Sequence, residues 1–196
     1  MIVLASRSPQ RRALLASLGV PFRIVVSCAP EGADALENAR AKARAAAARA
    51  GVPPGGAILG ADTEVLLDGR ALGKPADAAE ARRMLRALAG RSHVVETAMV
   101  LLTAVGEREA RGRTVVHVRP LCDAELDWYV ATGEWRERAG GYAIQGAGAA
   151  LIARIEGDHS TVVGLGLGAL AAMLDAEGLA PWSRDTGDSD TQAGVP

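Results

Sequence analysis

Aromatic side chains are scarce in this 196-residue chain, which has three Trp, two Tyr and one Phe. Single-stranded nucleic acid is held largely by stacking bases on rings, so a chain this poor in rings is a poor platform for it. An excess of either charge is also missing, since 22 Lys and Arg against 23 Asp and Glu leave a formal net charge of −1. Proteins that bind nucleic acid mainly by electrostatics carry a basic excess or stripe. No nucleic-acid partner is expected, and any anionic ligand must be gripped by a few local cations. Cysteine is limited to Cys28 and Cys122. Their spacing suits neither a metal site nor a disulfide framework, and a reducing compartment fits them best. The start, MIVLASRSPQRR, has only a short apolar run before its charges. Neither a secretory signal nor a membrane span is present there, so the expectation is a soluble, cytoplasmic protein with no membrane partner.

What is present suffices for a core. The chain is 49% hydrophobic and 23% charged, in a length that suits one globular domain of two lobes. Strand and helix signals alternate along it. Residues 2–5 suit a buried strand, and Ser8-Pro9 supplies the N-cap and first-position proline of a helix to about 18, stopped by Gly19. Residues 22–26 read as a strand and 35–50 as an alanine-rich helix ended by Gly51. A strand over 57–67 turns at Asp68-Gly69, and Asp77 with Glu80 opens a helix that ends near Gly90. The β-branched runs 93–105 and 109–118 form a hairpin through Val105-Gly106-Glu107, and Asp123 caps a short helix to about 132. The glycine-flanked segment 140–146 and residues 151–155 read as further strands, and 167–177 as the last helix. From 181 the sequence is polar and is expected to be disordered. The fold class is therefore mixed α/β.

The densest chemistry lies in GADTEVLLDGRALGKP, residues 60–75. Asp62 and Thr63 interrupt an apolar strand, and Lys74 follows the hairpin on an LGKP loop. A carboxylate there can bind Mg²⁺ or take a proton from water, while lysine neutralises phosphate oxygens. Taken singly, Asp62 reads as a turn or cap carboxylate and Lys74 as a solvated loop lysine. LGKP lacks the GxxxxGK[ST] spacing of a P-loop. The first turn of the first helix is rich in arginine, where the free N–H groups and the dipole favour an anion. Those arginines fit a phosphate site or a solvated face. A third cluster, Gly133-Glu134 with 137–146, offers glycines that permit close backbone approach and Gln145, which can both donate to and accept from a base edge. Asp158, His159 and Ser160 lack a GxSxG elbow and read as a polar loop, and His93 and His117 lack a metal-ligand pairing.

LASRSPQRRALL, GADTEVLLDGRALGKPADAAEARRML, AGRSHVVETAMVLL, YVATGEWRERAGGYAIQG and IEGDHSTVVGLGL, in that order, resemble the signature blocks of the Maf family of nucleoside triphosphate pyrophosphatases. The resemblance runs from about residue 2 to 177. It implies an elongated mixed-sheet fold of the Maf/inosine-triphosphatase type, with two lobes around a central cleft, formed by residues 1–180 as a single domain. It also implies hydrolysis of a nucleoside triphosphate to monophosphate and pyrophosphate with a divalent cation (Mg²⁺, Mn²⁺ or Co²⁺), by a homodimer. Within it Asp62 is the proton acceptor and, with Glu31, a metal ligand. Ser6, Arg11, Lys42 and Lys74 contact the triphosphate or support catalysis.

Gln10, Thr63 and Gln145 fall where the resemblance places base selection. Thr63 and Gln145 match the subfamily that prefers dTTP and UTP, whereas Gln10 matches neither that subfamily nor the one acting on 7-methyl-GTP. Arg138 stands where the block has Lys, and Gly166 where it has Pro. Two other functions compete with pyrimidine nucleotide hydrolysis: a nucleotide-binding regulator of cell division with little catalysis, and a pyrophosphatase for noncanonical purine nucleotides.

Overall fold

The computed structural model describes residues 1–26, 29, 30, 32 and 34–183. Within them a single mixed sheet is built from β1 (Ile2–Leu4), β2 (Phe22–Ile24), β3 (Ala57–Leu67), β4 (Arg70–Leu72), β5 (Ser92–Leu102), β6 (Glu107–Val118) and β7 (Ile152–Glu156). The order is β2-β1-β3-β5-β6-β7, with β4 also paired to β3. β1 runs parallel to β2 and β3, and the remaining pairs are antiparallel. Six helices cover the sheet: α1 (Pro9–Ser17), α2 (Ala35–Ala50), α3 (Ala78–Leu88), α4 (Asp123–Thr132), α5 (His159–Val163) and α6 (Leu167–Ala176). None is long and apolar enough to cross a membrane.

One edge of β3 is interrupted. β1 pairs with it only as far as Leu59, and β4 pairs from Val65 onward. Between them, residues 60–64 have no strand on that side, although β5 continues along the other. This gap separates two lobes. In one, Leu59, Ala61, Met99 and Leu101 pack against Leu15 of α1 and Leu170 and Leu174 of α6. In the other, Val65, Leu67, Val95 and Val116 pack against Leu85 of α3 and Leu126 and Tyr129 of α4. On the opposite face of β3, Ile58 packs with Ala39 and Ala43 of α2.

That last contact is unusually close. A Cβ on Gly60 would lie 2.1 Å from the Ala39 carbonyl oxygen and 2.9 Å from the Ala43 nitrogen. Only glycine lets α2 settle this near the strand. Asp62, two residues on, therefore faces the same helix.

Element boundaries agree with the sequence reading for α1, α2 and β3, where caps and periodicity are strong. Ser8 caps α1 by accepting from Arg11 N, and Asp34 caps α2 by accepting from Leu36 N and Glu37 N. Other segments differ. Residues 140–146 form no strand: 140 and 141 belong to a 3-10 turn at Ala139–Gly141 and 146 opens another at Gly146–Leu151, and Gly140, Gly141 and Gly146 have φ of 71°, 71° and 65°. Those left-handed conformations cannot extend a strand. Residues 158–160 are not a loop but the start of α5, capped by Asp158. Cys122, not Asp123, is the N-cap of α4. The β5–β6 turn closes at Thr103 and Gly106, with Thr103 N donating to the Gly106 carbonyl, so Glu107 already belongs to β6. Pro181–Ser183 forms a 3-10 turn. The rest of the tail, Cys28 and Glu31 lie outside the described residues.

Candidate active site

The gap in β3 opens into a cleft of about 420 Å³. Gln10, Arg11, Lys42, Asp62, Thr63, Lys74 and Gln145 all line it. Seven residues singled out in the sequence, drawn from segments far apart in the chain, are thereby gathered around one cavity. Ser6 is not part of that lining. It sits behind it, where its hydroxyl accepts from Arg11 Nη1 at 3.4 Å and from Ser8 N at 3.2 Å. Arg7 and Arg12 are exposed and outside the cleft.

Asp62 is held from both sides. Lys42 Nζ donates to Oδ1 at 2.6 Å, and Asn38 Nδ2 donates to Oδ2 at 2.9 Å. Asn38 and Lys42 are four residues apart on α2 and so share a face of the helix. Asp62 is 9% exposed. An ionised carboxylate offers about four lone-pair sites, so two remain to receive a proton or bind a cation after these bonds. Asn38 also clasps Gly32, accepting from its N at 2.6 Å and donating to its O at 3.0 Å. It thus ties the chain entering α2 to Asp62. The sequence reading missed Asn38. Its signal was a polar residue on the apolar face of an alanine-rich helix, one turn before Lys42.

On the other face of β3 the hydroxyls form a directed chain. Thr97 Oγ1 donates to the Thr161 carbonyl at 2.7 Å and lies 2.8 Å from Thr63 Oγ1. A hydroxyl has one proton, so Thr63 must donate to Thr97. Thr63 in turn accepts from Arg11 Nη2 at 2.9 Å, while Arg11 Nε donates to the Gly164 carbonyl at 3.0 Å. Thr63 has no proton left for a ligand and can only accept from one. Its position fixes the Arg11 head beside the cleft.

The far wall comes from residues 133–151. Tyr129 Oη accepts from Ala143 N at 2.9 Å, and Glu134 accepts from Ala147 N at 3.0 Å and Gly148 N at 3.1 Å. These bonds hold Gln145, which is exposed at the cleft. Gly140 N donates to the Gly73 carbonyl at 3.0 Å, joining this wall to the Lys74 loop, and Lys74 Nζ lies 3.3 Å from Glu137 Oε2. Gln10 Oε1 accepts from the Ser8 hydroxyl at 3.1 Å.

The sequence model of the Maf-like protein family matches residues 1–177. The chain belongs to the Maf family. A protein of Anaeromyxobacter dehalogenans called dTTP/UTP pyrophosphatase is 46% identical over 196 residues, covering 93% of this chain and 97% of its own. Proteins of the same name from Thermus thermophilus and Deinococcus radiodurans are 46% and 43% identical, covering 92% and 91% of this chain and 96% and 93% of theirs. Among solved structures, a HAM1 protein from Coxiella burnetii superposes with a TM-score of 0.54 at 20% identity, covering 89% of this chain and 98% of that one. That likeness shows a shared mixed α/β fold.

A divalent cation suits the donor set of this Maf cleft. Glu64 lines it beside Asp62, on the same face of β3. Burial, followed by the charges of Asp62, Asp34 and Glu96, holds the Glu64 carboxyl above the ordinary carboxylate range. A cation between the two carboxylates would relieve that repulsion. Among the described residues no group of three or more His, Cys, Asp or Glu could hold an ion alone. Mg²⁺ is typically bound by one or two carboxylates completed by water and substrate phosphates, and Asp62 with Glu64 meets that pattern. Glu64 escaped the sequence reading because a Glu in a β-branched strand looks like a solvent-facing residue.

Proposed function

We propose that this chain hydrolyses a nucleoside triphosphate to the monophosphate and pyrophosphate, with thymine and uracil nucleotides as substrates. The carboxylate of Asp62, oriented by Lys42 and Asn38 in a cleft also lined by Arg11 and Lys74, carries this assignment. The base choice draws on the names of the relatives and on Thr63 and Gln145. In the proposed reaction Asp62 takes the proton of a water attacking the α-phosphorus, and pyrophosphate leaves in line. Arg11, Lys42 and Lys74 bind the triphosphate and spread its developing charge. Gln145 reads the base edge through its amide. A divalent cation would be held by Asp62 and Glu64, and when bound it neutralises the triphosphate. The proposal extends to a homodimer in the cytoplasm, for which the family resemblance is the support.

The test is a panel of canonical, methylated and deaminated nucleoside triphosphates assayed for pyrophosphate and monophosphate release with and without a divalent ion. The expected result is metal-dependent turnover highest for dTTP and UTP. Release of orthophosphate, or a preference for inosine or 7-methylguanosine triphosphate, would overturn the assignment.

A further inference from the structure

Arg138 is the cation of this cleft that the sequence blocks assign to nothing. It lines the cavity together with Lys74 and Gln145. Its backbone is fixed on both sides: Arg138 N donates to the Trp135 carbonyl at 3.2 Å, and its own carbonyl accepts from Gly141 N at 3.1 Å. Trp135 is buried and anchors its indole N–H on the Val130 carbonyl. Gly140, with a φ of 71°, presses the loop against β3, where an added Cβ would lie 3.0 Å from Val65 Cγ1. Among the described residues the guanidinium has no hydrogen-bond partner. Its Nε is buried without a hydrogen-bond acceptor, and the head makes no ion pair among the described residues. The other pocket cations differ in this respect, since Arg11 is bonded to Thr63, Lys42 to Asp62, and Lys74 to Glu137.

A guanidinium that lines a cavity with no internal acceptor keeps its outer N–H donors for a ligand. We infer that Arg138 is a substrate-binding residue whose guanidinium donates to triphosphate oxygens of the bound nucleotide. Two observations select phosphate over base. The head is a full positive charge with paired donors, the geometry that suits phosphate oxygens. Its loop is also bonded directly to the Lys74 loop through Gly140 N and the Gly73 carbonyl, so the two cations share one stretch of wall. On binding, Lys74 exchanges Glu137 for phosphate, and Arg138 gains the acceptor it lacks. The inference rests on the nucleotide reading of the cleft proposed above, though not on hydrolysis.

The experiment compares the full chain with Arg138→Met, Arg138→Lys and, as a control, Arg136→Met, since the exposed Arg136 guanidinium lies over the Trp135 ring. Binding of inorganic tripolyphosphate and of dTTP is measured by calorimetry with Ca²⁺ present, and steady-state constants are taken for several nucleotides. Arg138→Met is expected to weaken tripolyphosphate about tenfold to hundredfold, the loss of one or two charge-assisted hydrogen bonds. It should also raise KM by a similar factor for every base, with part recovered in Arg138→Lys and no change in Arg136→Met. The melting temperature should not fall, because no internal bond is lost. Unchanged tripolyphosphate affinity would overturn the inference, and so would a KM effect confined to one base. If tripolyphosphate binding responds to Arg138 while no nucleotide is hydrolysed, the proposed activity fails and this inference stands.

Discussion

Lys42 and Asp62 meet at 2.6 Å because Gly60 lets α2 lie against β3. Asn38, one turn before Lys42, completes the grip on the second carboxylate oxygen. The carboxylate is thereby aimed before any substrate arrives, which is what a general base requires. Asp62→Asn keeps the size and removes the base. Turnover should fall by about 10²–10⁴-fold while nucleotide affinity measured without the divalent ion changes little. Steady-state kinetics beside calorimetry with the unhydrolysed nucleotide separate the two quantities. Wild-type turnover would remove Asp62 from the role.

Gly60→Ala tests the close approach that aims it. The added methyl meets backbone atoms of Ala39 and Ala43 and no flexible side-chain end. Helix α2 must shift outward, at a cost of about 1–3 kcal/mol for overpacking. Lys42 and Asn38 move with it, so activity should fall more than stability alone explains. Denaturant unfolding together with kcat measured well below the melting temperature checks this. An active variant of unchanged stability would show that the contact does not position the site.

Asp62, Thr63, Lys42 and Lys74 were legible in the sequence because each stands out chemically from its neighbours. The bonds among them were not. Arg11 and Thr63 are 52 residues apart, and Thr97 and Thr161 are 64 apart. No local pattern announces such pairs, and a buried threonine in a strand looks like any β-branched residue. Residues 140–146 were misread for a related reason. Tyr142 and Ile144 alternate with small residues as a strand would, yet Ala143 N is bonded by the Tyr129 hydroxyl and Ala147 N, just beyond, by the Glu134 carboxylate, not by a neighbouring strand. The boundaries of α2 and β3 were readable because Gly51, Asp68 and Gly69 end them through local backbone preference.

The hydroxyl chain from Arg11 to Thr161 predicts an asymmetry between its two threonines. Thr97→Val leaves Thr63 without its buried acceptor and the Thr161 carbonyl without its donor, with a loss of about 1–3 kcal/mol of stability. Thr63→Val removes the anchor of the Arg11 head at the rim of the cleft. The larger effect there should be on substrate binding, a several-fold rise in KM. Equal stability losses with no change in KM would detach Thr63 from Arg11 positioning.

His93 makes stability depend on pH in a stated direction. It is 3% exposed, its Nε2 lies 2.7 Å from the Tyr142 hydroxyl, and burial pushes its pKa down from 6.5 to about 4, with His117 a smaller influence. Between those values the unfolded chain binds a proton that the native protein refuses. Stability from this residue is therefore fully present above about pH 6.5 and is lost as pH falls toward 4. The loss from pH 7 to pH 5 should be about 2 kcal/mol. Urea unfolding at both values, for the wild type and for His93→Gln, isolates it, since Gln can bond Tyr142 but does not titrate. The wild type should weaken over that interval by more than the variant does. Parallel losses in the two proteins would show that other groups carry the acid sensitivity.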